Sequence, residues 1–209
     1  MATSNINDQI EKEKQEILKT FLQNAPFEGW SLTNLVNSSK ACGFPPEYYK
    51  LLFPNDIKTF TTYFNKTIND NLIKIFNEKK ENHTLKISEK IALLIEIKFS
   101  LYQQSKESIR CLFQYNLMPQ NILFAQKSLW QTCDQIWLLA GDTSKDFNYY
   151  TKRSLLSFVY SSSLLYYLSD ESENFSDTKI FIRKKITSAL KIGKWKASGA
   201  NFIKKLFKA

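Results

Sequence analysis

AGDTSKDFNYYTKRSLLSFVYSSSLLYYLSD, residues Ala140 to Asp170, decides the fold. Gly141 is placed to end a helix, because glycine alone takes the left-handed position after a helix without penalty. Ser144 is placed to cap the next helix, with Asp142 and Asp146 near its positive end. From Lys145 to Ser169 neither glycine nor proline interrupts, and Leu155, Leu156, Phe158, Val159, Leu164, Leu165, Tyr166 and Leu168 supply a long helical apolar pattern. The preceding stretch, Pro119 to Ala140, carries Ile122, Leu123, Leu129, Trp130, Ile136, Trp137, Leu138 and Leu139. It is apolar over most of its circumference, which predicts a central helix. Two long helices joined by a short polar turn point to an all-α chain.

The rest of the chain agrees. Only five glycines and five prolines punctuate 209 residues, a length that suits one domain with a substantial core. The spacing predicts a helix over Asn7 to Asn24, ended by Pro26, with Ile10, Ile17, Leu18, Phe21 and Leu22 inward. A second follows Ser31 as N-cap, with Leu32, Leu35 and Val36 inward, and stops at Gly43. A third spans Pro45 to Phe53, and a fourth runs from Asn55 to Asn77. Helices over Ser88 to Gln104, Lys106 to Tyr115, and Phe175 to Lys191 complete about nine. The expected division is a head with its connecting helix over 1–77, a helical domain over 78–191, and a separate basic helix over 192–209.

The formal charge of +9 is unevenly placed. Lys179 to Ala209 holds ten cations and no acid; removing those ten from the total of 29 leaves 19 cations against 20 acids in the rest. Such a tail needs an anionic partner. Taken as a helix from Ile192, residues Ile192, Trp195, Gly199, Phe202, Ile203, Leu206 and Phe207 share an arc of roughly 140° at 100° per residue. Lys191, Lys194, Lys204, Lys205 and Lys208 lie opposite, and Lys196 sits at the apolar edge. A wide aromatic face on a lysine-rich, acid-free helix fits a membrane interface, where each lysine contributes on the order of 1 kcal/mol. The alternative is a terminal helix packed on the domain with its lysines in water. Nucleic acid would not require the aromatic face.

The long-short-short-long order of the first four helices is that of a helix-turn-helix head. Met1 to Lys50, however, holds five lysines, six acids and no arginine. Glu47, Tyr48, Tyr49 and Lys50 stand where a recognition helix would read bases. Phosphate contact and base readout lean on Arg, Lys, Asn and Gln, of which only Lys50 stands there, so nucleic acid is not an expected partner.

Catalytic and metal chemistry find little footing. His83 is the single histidine, in the polar segment Glu78 to Lys86, and it cannot supply a histidine metal site or a triad. Cys42, Cys111 and Cys133 form no ligand spacing and read as reduced, buried residues of a cytosolic protein. Ser161-Ser162-Ser163 has no base beside it. No catalytic residue, metal or cofactor is expected. No apolar run approaches the ~18 residues of a membrane span. Asp8, Glu11, Glu13 and Glu16 are acids that a transit peptide avoids, which suggests a bacterial cytoplasmic protein or a mature form without its presequence.

Asp146, Tyr149, Tyr150 and Arg153 follow at intervals of three, one and three residues and share one side of a helix. A helix start needs a cap and one acid; two tyrosines and a scarce arginine beside them fit a protein-contact patch as well as a merely well-capped helix. The two apolar helices on either side can pack as plain core, or they can line a cavity.

The quoted stretch, continuing into Glu173-Asn174-Phe175-Ser176-Asp177-Thr178, resembles the ubiquinone-biosynthesis accessory family called Coq nine. Phe27-Glu28-Gly29-Trp30 and the remainder resemble it more weakly. The resemblance implies a TetR-like all-helical fold and a homodimer through the last helices of the main domain. It implies a lipid-binding protein without catalysis, peripheral on the inner membrane, that takes polyprenylated quinone intermediates and presents them to the di-iron ring hydroxylase. The cavity would then hold an isoprenoid lipid, with Leu123, Leu129, Trp130, Ile136, Trp137, Leu155, Phe158 and Val159 as candidate lining. Asp146, Tyr150 and Arg153 match the family's types in the partner-binding patch, and Tyr149 stands where many members have tryptophan. Trp195, Phe202, Ile203, Leu206 and Phe207, with Lys194, Lys204 and Lys205, are the candidate membrane contacts. A TetR-type ligand-responsive regulator and a ligand-free membrane scaffold are the alternatives.

Overall fold

The computed structural model describes residues 2–78, 84–145 and 147–189, with side chains from Ile6 onward. Among them run nine α-helices and no strand: α1 Ala2–Glu28, α2 Leu32–Ala41, α3 Tyr49–Leu52, α4 Asp56–Glu78, α5 Ile87–Tyr102, α6 Lys106–Leu117, α7 Ile122–Leu139, α8 Phe147–Ser169 and α9 176–189. The all-α expectation holds. His83 and the basic helix over 192–209 lie outside the described residues. Two compact units share the chain, Met1–Asn71 with Tyr102–Ser128, and Leu72–Leu101 with Leu129–Ala209, each taken over its described residues. Packing thus groups 102–128 with the N-terminal unit, whereas a single break was expected at 77; the expected break at 191 lies outside the described residues.

In the first unit, Phe21, Trp30, Phe60 and Phe64 form an aromatic core with ring centroids 4.3 to 5.9 Å apart. The Trp30 indole N–H donates to Thr61 Oγ1 at 2.8 Å, so its polar edge is satisfied. Ser31 caps α2 as expected, accepting from the Asn34 N–H at 3.1 Å. The buried face of α2 is more polar than its pattern suggested. Asn34, Leu35, Ser38 and Ser39 are inside, whereas Leu32 is 40% exposed and Val36 half-buried. Asn34 is satisfied by donating to the Phe21 and Gly29 carbonyls and accepting from Ser38.

The third expected helix shrinks to the single turn of α3. Its approach closes through i to i+3 bonds, Tyr48 N to Pro45 O at 3.0 Å and Lys50 N to Glu47 O at 3.1 Å. Pro45-Pro46 is the cause, because a residue before proline is pushed out of the helical region. Tyr48 hydrogen-bonds Glu13 at 2.6 Å, and Tyr63 bonds Glu11 at 2.8 Å.

Pro26 does not end α1, which continues to Glu28. Proline lacks the N–H that the Leu22 carbonyl would accept. The Ser108 hydroxyl of α6 donates to that carbonyl instead, at 2.5 Å. Nearby, Ala25 O accepts from the Gly29 N–H at 2.8 Å and from the Cys111 thiol at 3.2 Å. Gly29 then stops the helix at φ +72°.

In the second unit, α5 buries Ile91, Leu94, Ile95 and Phe99 as its spacing predicted. Phe99 packs against Tyr160 and Tyr167 of α8 at 5.6 and 4.9 Å. Lys98 is 1% exposed, and burial lowers its pKa to about 7, with Nζ 3.4 Å from Thr132 Oγ1. The expectation that α7 is apolar over most of its circumference and central needs correction, and the apolar pattern of α8 is only partly covered. Leu138 is 61% exposed, and on α8 Phe158 and Leu165 are 66% and 53% exposed. The covered faces are Thr132, Cys133, Ile136 and Trp137 on α7, with Leu156, Val159, Tyr160, Ser163 and Tyr167 among those on α8. Of the cysteines only Cys133 is buried; Cys42 and Cys111 are partly exposed free thiols. Asp170 leads into α9, accepting from the amide and hydroxyl of Ser172 and of Thr178. Burial would raise its pKa, but these four bonds hold it at about 2.

The Pro26 arrangement is testable. Ser108→Ala orphans the Leu22 carbonyl and is expected to cost about 1–3 kcal/mol in urea unfolding. Adding Pro26→Ala restores a local donor and is expected to recover part of that loss. Equal stability of the parent and Ser108→Ala would contradict the assignment.

Candidate functional site

The site is built around the end of α7. Gly141 N–H donates to Leu138 O at 3.0 Å and Asp142 N–H to Trp137 O at 2.9 Å, a Schellman closure with Gly141 at φ +94°. The turn directs the Asp142 carboxylate inward, where its side chain is 4% exposed. It accepts from Lys152 Nζ at 2.6 Å, Arg153 Nη1 at 2.9 Å and Ser144 Oγ at 2.9 Å. Burial would raise the Asp142 pKa, but these bonds outweigh it and hold the carboxyl well below the usual carboxylate range. The Ser144 hydroxyl thus donates to Asp142, and it also accepts from Lys152 Nζ at 2.7 Å. Lys152 Nζ lies 5.3 Å from the Trp137 ring, whose N–H donates to Lys152 O at 3.1 Å.

Arg153 is the second hub and is 2% exposed. Its Nε donates to Asp134 Oδ1 at 2.7 Å, and Nη1 reaches Tyr149 O at 3.3 Å as well as Asp142. Its Cζ sits 3.5 Å from the Tyr149 ring centroid. Burial disfavours the charge, yet the Asp134 and Asp142 carboxylates outweigh it and raise the Arg153 pKa. The Tyr149 hydroxyl donates to the same Asp134 Oδ1 at 3.0 Å. Trp130 joins Tyr149 and Tyr150 in an aromatic cluster, with centroids 6.3 and 6.2 Å from Trp130 and 5.2 Å between the tyrosines. Tyr150 and the neighbouring Phe147 are 61% and 81% exposed. An ion-paired interior therefore carries an aromatic surface.

The structure gathers three of the four expected patch residues, Tyr149, Tyr150 and Arg153; Asp146 lies outside the described residues. Arg153 does not face a partner. A buried guanidinium is retained only when paired, and here it braces Tyr149 from beneath. Trp130, expected in a lipid cavity, stands half-buried in the aromatic patch. Of the other candidate pocket residues, Leu155, Phe158 and Val159 line a hollow of about 280 Å³ with Phe181, Lys184 and Lys185. Ile136 and Trp137 are core, Leu129 is half-buried and Leu123, in the first unit, is 81% exposed; none lines that hollow. The candidate membrane residues, Lys194, Trp195, Phe202, Ile203, Lys204, Lys205, Leu206 and Phe207, all lie outside the described residues. Asp134 and Lys152 were missed by inspection of the sequence, although Asp134 falls four residues after Trp130 on the same helix face. Asp142 was noticed only as a charge near a helix start. Among the described residues no cluster of metal-ligating side chains occurs, and no helix is long and apolar enough to cross a membrane.

Comparison with known proteins defines the class first. The TetR transcriptional regulator from Nitrosomonas europaea ATCC 19718 superimposes with a TM-score of 0.69 at 18% identity, over 85% of this chain and 97% of that one. The fold is all-α and TetR-like. Residues 122–193 match the family model described as COQ9. The probable ubiquinone biosynthesis protein coq9, mitochondrial, of Dictyostelium discoideum is 31% identical over 191 residues, 88% of this chain and 61% of that protein. The mitochondrial COQ9 of Homo sapiens is 24% identical over 189 residues, 88% of this chain and 59% of that protein. That of Schizosaccharomyces pombe is 29% identical over 183 residues, 86% of this chain and 71% of that protein. The chain belongs to the COQ9 family, the Coq nine of the resemblance, and spans about three-fifths of the length of the first of these relatives.

The clamp has a pH signature. The depressed Asp142 pKa adds stability that is fully present above the ordinary carboxylate value of ~4 and is lost as pH falls through the lower folded value. Urea unfolding between about pH 5 and pH 2 is expected to show a decline that Asp142→Asn flattens. Arg153→Met, which removes the buried donor shared by Asp134 and Asp142 while Lys152 still pairs Asp142, is expected to cost about 1–3 kcal/mol at pH 7. An unchanged unfolding midpoint in that variant would contradict the clamp.

Proposed function

We propose that this chain is a non-enzymatic, lipid-binding accessory protein of ubiquinone biosynthesis that docks the di-iron ring hydroxylase through its aromatic patch. The observation that carries this reading is Tyr150, an exposed ring beside Trp130 and Tyr149 on a buried, ion-paired scaffold. Exposed aromatics on a rigid base are the residues that dominate protein–protein contacts. Among the described residues the acids beside the rings, Asp134 and Asp142, are already committed to Arg153 and Lys152, which favours a partner contact made mainly through apolar surface.

The chemistry of the substrate supports the role. A polyprenyl tail leaving the bilayer exposes apolar area at about 25 cal/mol per Å², and a protein that covers the tail offsets that cost. The hollow between α8 and α9 is lined by the apolar Leu155, Phe158, Val159 and Phe181 together with Lys184 and Lys185. Its volume of about 280 Å³ suits part of a lipid rather than a whole one. The tail, Lys191 to Ala209, would hold the protein on the anionic face of the inner membrane through its lysines and aromatics. The exposed faces of α8 and α9 offer a surface for a second copy. DNA binding is disfavoured by the net charge of Met1 to Lys50 and by the single turn left to α3.

Tyr150→Lys is expected to abolish co-purification of the hydroxylase without changing the far-ultraviolet circular dichroism; retained co-purification would count against the docking patch. Organic extraction of the full chain followed by mass spectrometry is expected to release an isoprenoid. Protein that comes out empty from ubiquinone-producing cells would remove the lipid-presenting half of the reading.

A further inference from the structure

We infer that Asp134 is a positioning residue for the docking surface, holding Tyr149 in the orientation that shapes the aromatic patch. The inference rests on the reading of that patch as a docking surface. One oxygen, Asp134 Oδ1, accepts both from Arg153 Nε at 2.7 Å and from the Tyr149 hydroxyl at 3.0 Å. Both donors belong to α8, whereas Asp134 belongs to α7, one turn beyond Trp130. A single carboxylate oxygen therefore links the buried cation, the ring above it and the helix that carries the third aromatic.

The geometry constrains the ring in two ways. The Arg153 guanidinium lies against one face, 3.5 Å from the centroid, and fixes the plane. That contact alone leaves the ring free to slide across the flat cation. The hydroxyl bond to Asp134 fixes the far end of the ring and removes this freedom. Tyr149 in turn sets its neighbours, since Tyr150 meets it at an interplanar angle of 80° and Trp130 at 58°. A ring that shifts carries the exposed Tyr150 with it.

Asp134 is separable from the stabilising core of the clamp. Its side chain is 39% exposed, whereas that of Asp142 is 4% exposed. Losing Asp134 leaves Arg153 paired with Asp142 and bonded to Tyr149 O, so no buried charge is stranded. Orientation and stability thus reside in two different carboxylates of one network.

The test is a double-mutant cycle on the full chain, with Asp134→Ala, Tyr149→Phe and their combination. Affinity for the purified hydroxylase is measured by calorimetry, and stability by urea unfolding. Each single change is expected to weaken binding about three- to tenfold. The double variant is expected to be no weaker than either single one, and unfolding midpoints are expected to stay near that of the parent. Asp134→Asn, which keeps an acceptor for the tyrosine, is expected to retain more affinity than Asp134→Ala. Independent losses that multiply, or an unchanged affinity in Asp134→Ala while Tyr150→Lys still abolishes binding, would overturn the positioning role and leave the docking patch standing. Binding that survives Tyr150→Lys would remove the docking patch itself. A partner-free readout separates the two cases. Carbon-13 relaxation of the labelled Tyr149 ring is expected to show faster reorientation in Asp134→Ala than in the parent, and identical relaxation would overturn the positioning role outright.

Discussion

The second unit is organised by the pairing of a buried guanidinium. Arg153 is 2% exposed, and a cation in that position persists only with carboxylates and hydrogen-bond acceptors around it. Asp134 and Asp142 supply the carboxylates from α7 and from the turn that follows it. Gly141 is required because its positive φ turns the chain sharply enough to bring Asp142 back beneath α8. Lys152 and Ser144 complete the shell around Asp142, and Trp137 ties its indole N–H to the same turn of α8. The planar fork suits this place. It pairs two acids in its own plane and leaves a flat face for Tyr149, which a lysine ammonium would not do.

That clamp gives the aromatic surface its physical meaning. Tyr149 and Tyr150 would cost apolar exposure with no return if they stood on a mobile loop. On a rigid, ion-paired base their ordering cost is already met before a partner arrives, the condition under which exposed aromatics contribute strongly to binding. Among the described residues the charged groups of the site neutralise each other in pairs and hold side chains in place. Lys98 adds a second buried cation to the same unit, on α5 beside Thr132, with its pKa lowered by burial toward neutrality.

Local features were legible in the sequence, and features resting on distant partners were not. The Ser31 cap, the stop at Gly141 and the bounds of α4 depend on residues within one turn of themselves, and the structure has them where the pattern put them. Pro26 misled because its compensating donor, Ser108, lies 82 positions downstream. The shortening of α3 was present in Pro45-Pro46, but a proline also suits the first turn of a helix, so the pair read as a helix start. Helical periodicity marked Leu138, Phe158 and Leu165 as parts of the apolar pattern of α7 and α8 without saying how much of each is covered, and all three are exposed. In the site, the tyrosine pair and the arginine could be read from a single helix. The inversion of Arg153 from contact to brace could not, because Asp134 lies 19 positions away on another helix.

The most direct test of the account is hydrogen–deuterium exchange of the full chain with and without the purified hydroxylase. The account predicts new protection confined to peptides covering Trp130 to Asp134 and Phe147 to Arg153, with the first unit unchanged. Protection restricted to the first unit, or an exchange pattern indifferent to the hydroxylase, would contradict it.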